Sequence, residues 1–278
     1  MKASTKGVLC AVAFSWLTLL AGAAHSAIVM GWYRFDDPTN LGRDYSGNNN
    51  NGTVINDGAA PVYTADGFTG GAADFLGGGK INIPFNTGPG LWPNLTWGAW
   101  VNPDAIDGIR AILNNDDGGF DRALNIDFRA GGNYAAFVGE IPPFHYNSGV
   151  APVIGQWIFF GAVYENNFYG PGNGSLSLYI GNQVIPNIPT LFNNTIWTYT
   201  SIGGSPTFGE FWDGRIDDVF IIDGAATSAQ MAQIIANPNN IPAIASQIGV
   251  VPEPGTWAAA ALLVGAAGYV RWRKRQTV

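Results

Sequence analysis

The sequence predicts an all-β protein, a sandwich of antiparallel strands set between two terminal segments of different character. Short apolar stretches follow one another with turn residues between them, as expected of strands joined by tight connections. The chain carries 38 glycines and 17 prolines, and only 12% of its residues are charged. Its one cysteine, Cys10, lies in the leading segment. The body of the chain therefore has no disulfide framework and must rely on a core, which a 47% hydrophobic composition can supply.

Ile28 to Phe35 reads as the entry strand, closed by Asp36-Asp37-Pro38. The Asp44 to Thr53 stretch, rich in Asn, Ser and Gly, reads as a turn because those side chains bond their own backbone or tolerate positive φ. Strands follow at Pro61 to Thr64, Ala72 to Phe75 and Lys80 to Pro84. In Leu95 to Asn102, alternation puts Leu95, Trp97, Ala99 and Val101 on one face and Thr96, Gly98 and Trp100 on the other, so both faces are expected to be covered. Ile109 to Leu113, Leu124 to Phe128 and Tyr134 to Val138 form a middle set. Gln156 to Tyr164 is apolar on both faces and should lie centrally. It pairs as a hairpin with Ser175 to Ile180, whose Leu176, Leu178 and Ile180 point inward. Ile196 to Ile202 and Trp212 to Asp223 complete the strands, and a short helix follows. Thr227 and Gln230 have capping-box spacing, Met231, Ile234 and Ile235 form its apolar stripe, and Asn237-Pro238 stops it. Residues 237–250 lack periodicity and read as a linker.

The two ends read as addresses. Lys2 and Lys6 precede an apolar run, Val8 to Leu20, and the small-residue site Ala24-His25-Ser26-Ala27. Residues 1–27 are thus expected to be a secretory signal peptide, cut by signal peptidase after Ala27. At the other end, Pro252, Glu253 and Pro254 precede an apolar segment at 256–270 and the basic cluster Arg271, Arg273, Lys274 and Arg275. The prolines set this unit off, and Lys and Arg behind an apolar run are retained on the inner side of a membrane. The segment is shorter than the roughly 17–25 residues of a stable spanning helix. In that order, residues 251–278 resemble the PEP-CTERM sorting signal of Gram-negative bacteria. The resemblance implies that an exosortase recognises Pro-Glu-Pro and removes the tail. The protein would pass through an inner-membrane intermediate to the cell surface or extracellular matrix.

Residues 28–236 resemble the laminin-G-like, concanavalin-A-like superfamily. The likeness is carried by Asp44, Ser46, Gly47 and Asn48 after the entry strand, and by Gly70-Gly-Ala-Ala-Asp-Phe75 with Ile81-Asn-Ile-Pro84. It continues in Leu95-Thr-Trp-Gly-Ala-Trp-Val-Asn-Pro103, Gly155-Gln-Trp157 and Gly214-Arg-Ile-Asp-Asp-Val-Phe-Ile-Ile222. It implies a jelly roll of two curved sheets and, because the fold hosts lectins, hydrolases, lyases and adhesion modules, no particular activity.

Composition narrows the chemistry. The chain has a net charge of −7, and both ends are basic, so the body is more acidic still and nucleic acid is excluded as a partner. Outside the tail the glutamates are Glu140, Glu165 and Glu210, and none has the Glu-x-Asp-x-x-Glu spacing used by hydrolases of this fold. Retaining hydrolysis needs two carboxyls roughly 5–5.5 Å apart, which alternate residues of one strand would provide. His145 has neither a Gly-x-Ser-x-Gly elbow nor a thiol to work with. No catalytic residue is therefore assigned.

Calcium, which takes about six to eight oxygen ligands, is the cofactor candidate. Asp217 alternates with Val219 and Ile221, so it should face the core, where an unpaired carboxylate is costly. The resemblance implies a structural cation at the position of Asp217, with Asp44 or Asp36 as partner ligands. A salt bridge to Arg215 or Arg34, or capping of backbone N–H groups, is the alternative. The Asp44 loop fails the EF-hand pattern, with Asn49 at its sixth position and Ile55 at its twelfth. For a polysaccharide ligand, Trp100, Tyr146, Tyr169, Tyr179 and Trp212 are the candidate stacking platforms. The resulting expectation is an exported, non-catalytic surface or matrix protein with an adhesive role and exopolysaccharide as its candidate ligand. A dedicated lectin and a polysaccharide-degrading enzyme are the alternatives.

Overall fold

A computed structural model describes residues 27–116, 118, 121–138, 145–191 and 199–249. Residues 1–26 of the expected signal peptide (1–27) and the whole expected sorting motif, Pro252 to Arg275, lie outside the described residues. Among those described, no helix is long and apolar enough to cross a membrane.

Residues 27–248 form one compact unit of two antiparallel sheets. In chain order the strands are β1 (Ile28–Tyr33), β2 (Thr53–Ala59), β3 (Val62–Thr64), β4 (Ala72–Leu76), β5 (Gly78–Ile83), β6 (Leu95–Pro103), β7 (Ile109–Asn114) and β8 (Ala123–Asp127). They continue as β9 (Asn133–Phe137), β10 (His145–Asn147), β11 (Ile158–Glu165), β12 (Gly174–Ile180), β13 (Gln183–Thr190), β14 (Thr200–Ile202) and β15 (Asp213–Asp223). The helices are α1 (Ser228–Ala236) and α2 (Ile241–Ala245). One sheet runs β13-β12-β11-β6-β15-β4-β3, with β1 also against β15; the other runs β10-β9-β8-β7-β14-β5-β2. This is the expected sandwich with a short closing helix. The β11–β12 hairpin has the expected inward residues, since Leu176, Leu178 and Ile180 join the core between the sheets.

A second apolar layer covers the outer face of the first sheet. There Val29, Trp32, Trp100, Phe159, Tyr179, Phe220 and Ile222 meet Met231 and Ile234 of α1 and Ile241 and Ile244 of α2. This is why β6 is buried along its whole length, on both faces. Gly98 and Gly161 lie opposite each other on β6 and β11. A Cβ on either would come within 2.7 or 2.6 Å of the Phe159 ring, so the glycine pair makes room for that ring under the helices. The Thr227–Gln230 capping box is present at the start of α1.

Both expected boundaries fall on packed residues. Residues 237–248 are not a loose linker: a 3₁₀ turn, Pro238–Asn240, leads into α2, and Ile241, Ile244, Ala245 and Ile248 are buried. At the other end Ala27, expected to be lost with the signal peptide, is only 7% exposed, and its N–H donates to the Ile248 carbonyl at 3.0 Å. Three strands, β2, β10 and β13, fall where the sequence reads as turn or irregular chain. β13 contains Pro186 and Pro189, which suit an edge strand because proline lacks the donor a central strand needs.

Candidate functional site

The edge strands of the two sheets, β10 and β13, come together on one side of the sandwich, where the Tyr146 hydroxyl donates to the Pro189 carbonyl at 3.3 Å. The β11–β12 connection arches over the same place. Its tip is shaped by Asn167, at φ 58°, whose carbonyl accepts the Gly170 N–H and whose side chain accepts the Gly172 N–H. The Tyr169 N–H donates to the Asn173 carbonyl at 2.9 Å, and its hydroxyl reaches the Asn187 carbonyl on β13. These anchors enclose a cleft of about 270 Å³ lined by Tyr146, Tyr169, Asn173, Gly174, Pro189, Thr190 and Leu191.

Its chemistry is simple. Two phenols, an amide, a hydroxyl and two apolar groups line it, and none of the side chains is charged. Tyr169 is 48% exposed and held edge-on by Phe168, with ring centroids 4.7 Å apart at 80°. A half-exposed ring fixed at both ends can offer a face with little loss of side-chain entropy. Tyr146, expected as a platform, is instead packed in the core between the sheets at 9% exposure and contributes only its rim.

The other three aromatic candidates are corrected by their burial. Trp100, at 1% exposure, and Tyr179, at 2%, do point away from the core between the sheets, as alternation predicts, but α1 and α2 cover them. The Tyr179 hydroxyl bonds Ser228 at the start of α1. Trp212 is fully buried in the inter-sheet core.

The aspartates expected to share a cation do not assemble as expected. Asp44 organises its own turn, accepting from the N–H groups of Trp32, Ser46 and Asn50 and from the Ser46 hydroxyl. Asp217 is not on the face of Val219 and Ile221. It pairs with Trp100, and a bulge between Asp217 and Phe220 breaks the alternation, with Asp218 at φ 45°. Along its other edge β15 changes partner here, from β4 up to Ile216 to β1 from Val219. Asp217 and Asp218 stand at that gap. Asp217 accepts from the N–H groups of Thr69 and Asp218, Asp218 accepts from the Thr69 hydroxyl, and Asp36 accepts from the Gly71 N–H. Burial, reinforced by Asp218, pushes the Asp217 carboxyl up to about 8; burial lifts Asp218 to about 6, against the Thr69 hydroxyl and Arg34. Among the described residues, no group of three or more His, Cys, Asp or Glu could hold a metal ion.

A carboxylate cluster without a sequence motif lies on the second sheet. Burial first, then Asp116, pushes Glu210 up to about 7, while Arg129 pulls it down. Asp127, also nearby, grips Arg129 with both oxygens, at 2.6–3.1 Å. Glu210 joins Asp116, Asp127 and Arg129 from a distant chain segment, so no spacing could have announced it.

Residues 76–232 match the family model of the concanavalin A-like lectin/glucanases superfamily, and the chain belongs to that family. Among solved structures it is similar to domain 4 of AbnA, an extracellular arabinanase from Geobacillus stearothermophilus, in complex with arabinotriose. The TM-score is 0.55 at 20% identity, over 76% of this chain and all of that one. It is also similar to the binding domain of botulinum neurotoxin DC, in complex with rat synaptotagmin II, at TM-score 0.52 and 12% identity. A further likeness is to a botulinum neurotoxin type C structure described as dependent on two ganglioside molecules for cell entry, at TM-score 0.51 and 12% identity. Each toxin match covers 76% of this chain, which spans about half the length of those chains, at 51%. At these identities the likeness is one of fold. No curated protein matches the sequence.

Proposed function

We propose that this chain is an exported, non-catalytic surface or matrix module that binds a neutral polysaccharide in the cleft of Tyr146, Tyr169 and Asn173. The observation that carries this reading is the half-exposed, doubly anchored Tyr169 ring above a lining without charge. A sugar ring offers such a site an apolar face for stacking and hydroxyls for the amide and Thr190. The neighbouring folds include a domain solved with arabinotriose, which supports a glycan ligand. A glycan array probed with the full chain, followed by titration of the best neutral oligosaccharide, tests the reading. Saturable binding that Tyr169→Ala weakens about tenfold is expected, equivalent to about 1.4 kcal/mol. Binding that Tyr169→Ala leaves unchanged would place the ligand elsewhere.

The hydrolase alternative would need Glu210 as proton donor, since it is an acid held near neutrality. Its neighbour Asp127 has both oxygens engaged by Arg129, which favours a structural role for the group. Polysaccharide hydrolysis that Glu210→Gln abolishes would reverse this assignment.

Export rests on the sequence of the two ends. The bond from the Ala27 N–H to the Ile248 carbonyl supports a signal-peptide cut one residue upstream of the expected one, between Ser26 and Ala27, with small Ala24 and Ser26 before the bond. Terminal sequencing of the mature protein is expected to begin at Ala27 and to lack Arg271 to Arg275. A retained basic tail would make 251–278 a permanent anchor instead of an exosortase substrate.

A further inference from the structure

We infer that Arg34 is the cation of the Asp36–Asp217–Asp218 pocket, standing where the fold resemblance implies calcium, so that this domain closes the gap beside β15 without a metal. The pocket is a demanding one. Asp217 and Asp218 are at most 1% exposed, they adjoin each other in sequence, and Asp36 is close enough to disfavour their ionisation further. Buried like charges of this kind require a positive partner or protons.

Arg34 is placed to be that partner. Tyr33, the last residue of β1, pairs with Val219, so the next residue along the chain arrives beside Asp218. Its Nη2 lies 3.1 Å from Asp36 Oδ2, and its Nε lies 3.8 Å from Asp218 Oδ1. That Oδ1 is buried, with the Trp32 indole beside the carboxyl, and the guanidinium is the positive group facing it. The guanidinium also sits over the rings of Trp32 and Tyr45, at 5.1 and 5.9 Å from their centroids, which holds the charge in one position. Arg215 is turned elsewhere, paired with Asp66 and over Trp157.

The oxygens do not suit calcium. Oδ1 and Oδ2 of Asp217, Oδ2 of Asp218 and Oδ1 of Asp36 already accept backbone N–H or hydroxyl hydrogens, and Oδ2 of Asp36 faces Arg34. A divalent ion needing about six to eight oxygens would have to share these oxygens with their donors and expel the guanidinium from Asp36. Asp44, the remaining expected ligand, is held by its own turn.

The test is thermal melting of the full chain in calcium and in chelator, with Arg34→Met and Arg34→Lys beside it. The wild type is expected to melt at the same temperature in both solutions. Arg34→Met should melt several degrees lower at pH 8 and close to wild type at pH 5, because protonated carboxyls no longer need a counter-ion. Arg34→Lys should recover part of the loss, since it restores charge without the planar fork. A wild-type melting temperature raised by calcium and returned by chelator would overturn the inference. So would an Arg34→Met deficit equal at both pH values, which would indicate lost packing alone. If Arg34→Met does not fold, the wild-type calcium comparison and the pH dependence of Arg34→Lys still decide.

Discussion

Trp100 and Tyr179, under the helices, and Tyr169, in the loop over the sheet edges, are aromatic side chains outside the core between the sheets, yet they have opposite fates. On the first sheet the outward aromatics are roofed by Met231, Ile234, Ile241 and Ile244 and become a second core. At the edge, β10 and β13 have no further strand beyond them, and the arching 166–173 loop leaves a cleft instead of sealing it. Direction along a strand is a local property; exposure is decided by what lies above. An outward aromatic is therefore a binding candidate only where no other element lands on it.

The contrast can be broken by substitution. Trp100→Ala opens a cavity beneath the helices and is expected to cost about 3–5 kcal/mol in chemical denaturation. A much smaller loss would mean that the helix layer is loosely seated. The acidic gap next to Trp100 should give the covered face a pH dependence that the edge lacks. Asp217 and Asp218 hold protons more tightly folded than unfolded, where their ordinary value is 3.8, so the stability they contribute is present at acid pH. It declines as pH rises from about 4 towards 8, the range set by those shifts. Asp217→Asn should flatten that decline, measured as Tm against pH, and a slope unchanged by the substitution would remove the pair as its source. Thr227→Ala removes the α1 cap and should lower stability by about 1 kcal/mol while leaving glycan binding intact. Smallest in stability is Tyr169→Ala, expected within about 0.5 kcal/mol of wild type although it acts on the ligand. A large stability loss there would show the loop to be structural, and the cleft a by-product of its packing.

Much of the strand pattern was readable because alternation is a local code. Leu95, Trp97, Ala99 and Val101 face the inner core as their spacing requires, and so do Leu176, Leu178 and Ile180. The code failed where the backbone departed from it. One bulge at Asp217–Phe220 moved Asp217 to the opposite face, and prolines at 186 and 189 hid an edge strand. The cleft was half legible: Tyr146 and Tyr169 are recognisable as aromatics with polar neighbours, but nothing local announces that residues 23 positions apart in sequence meet.

By itself the sequence determined the sandwich class, the capped closing helix and the reliance on a core in place of disulfides. These follow from periodicity, composition and residue order, which act over a few neighbouring residues. Tertiary structure alone decided which outward aromatics are covered, which carboxylates share a pocket, and that Arg34 reaches them. Those outcomes depend on strand order and register, where β15 exchanges β4 for β1 and brings positions 34, 36, 69, 217 and 218 together from three distant parts of the chain.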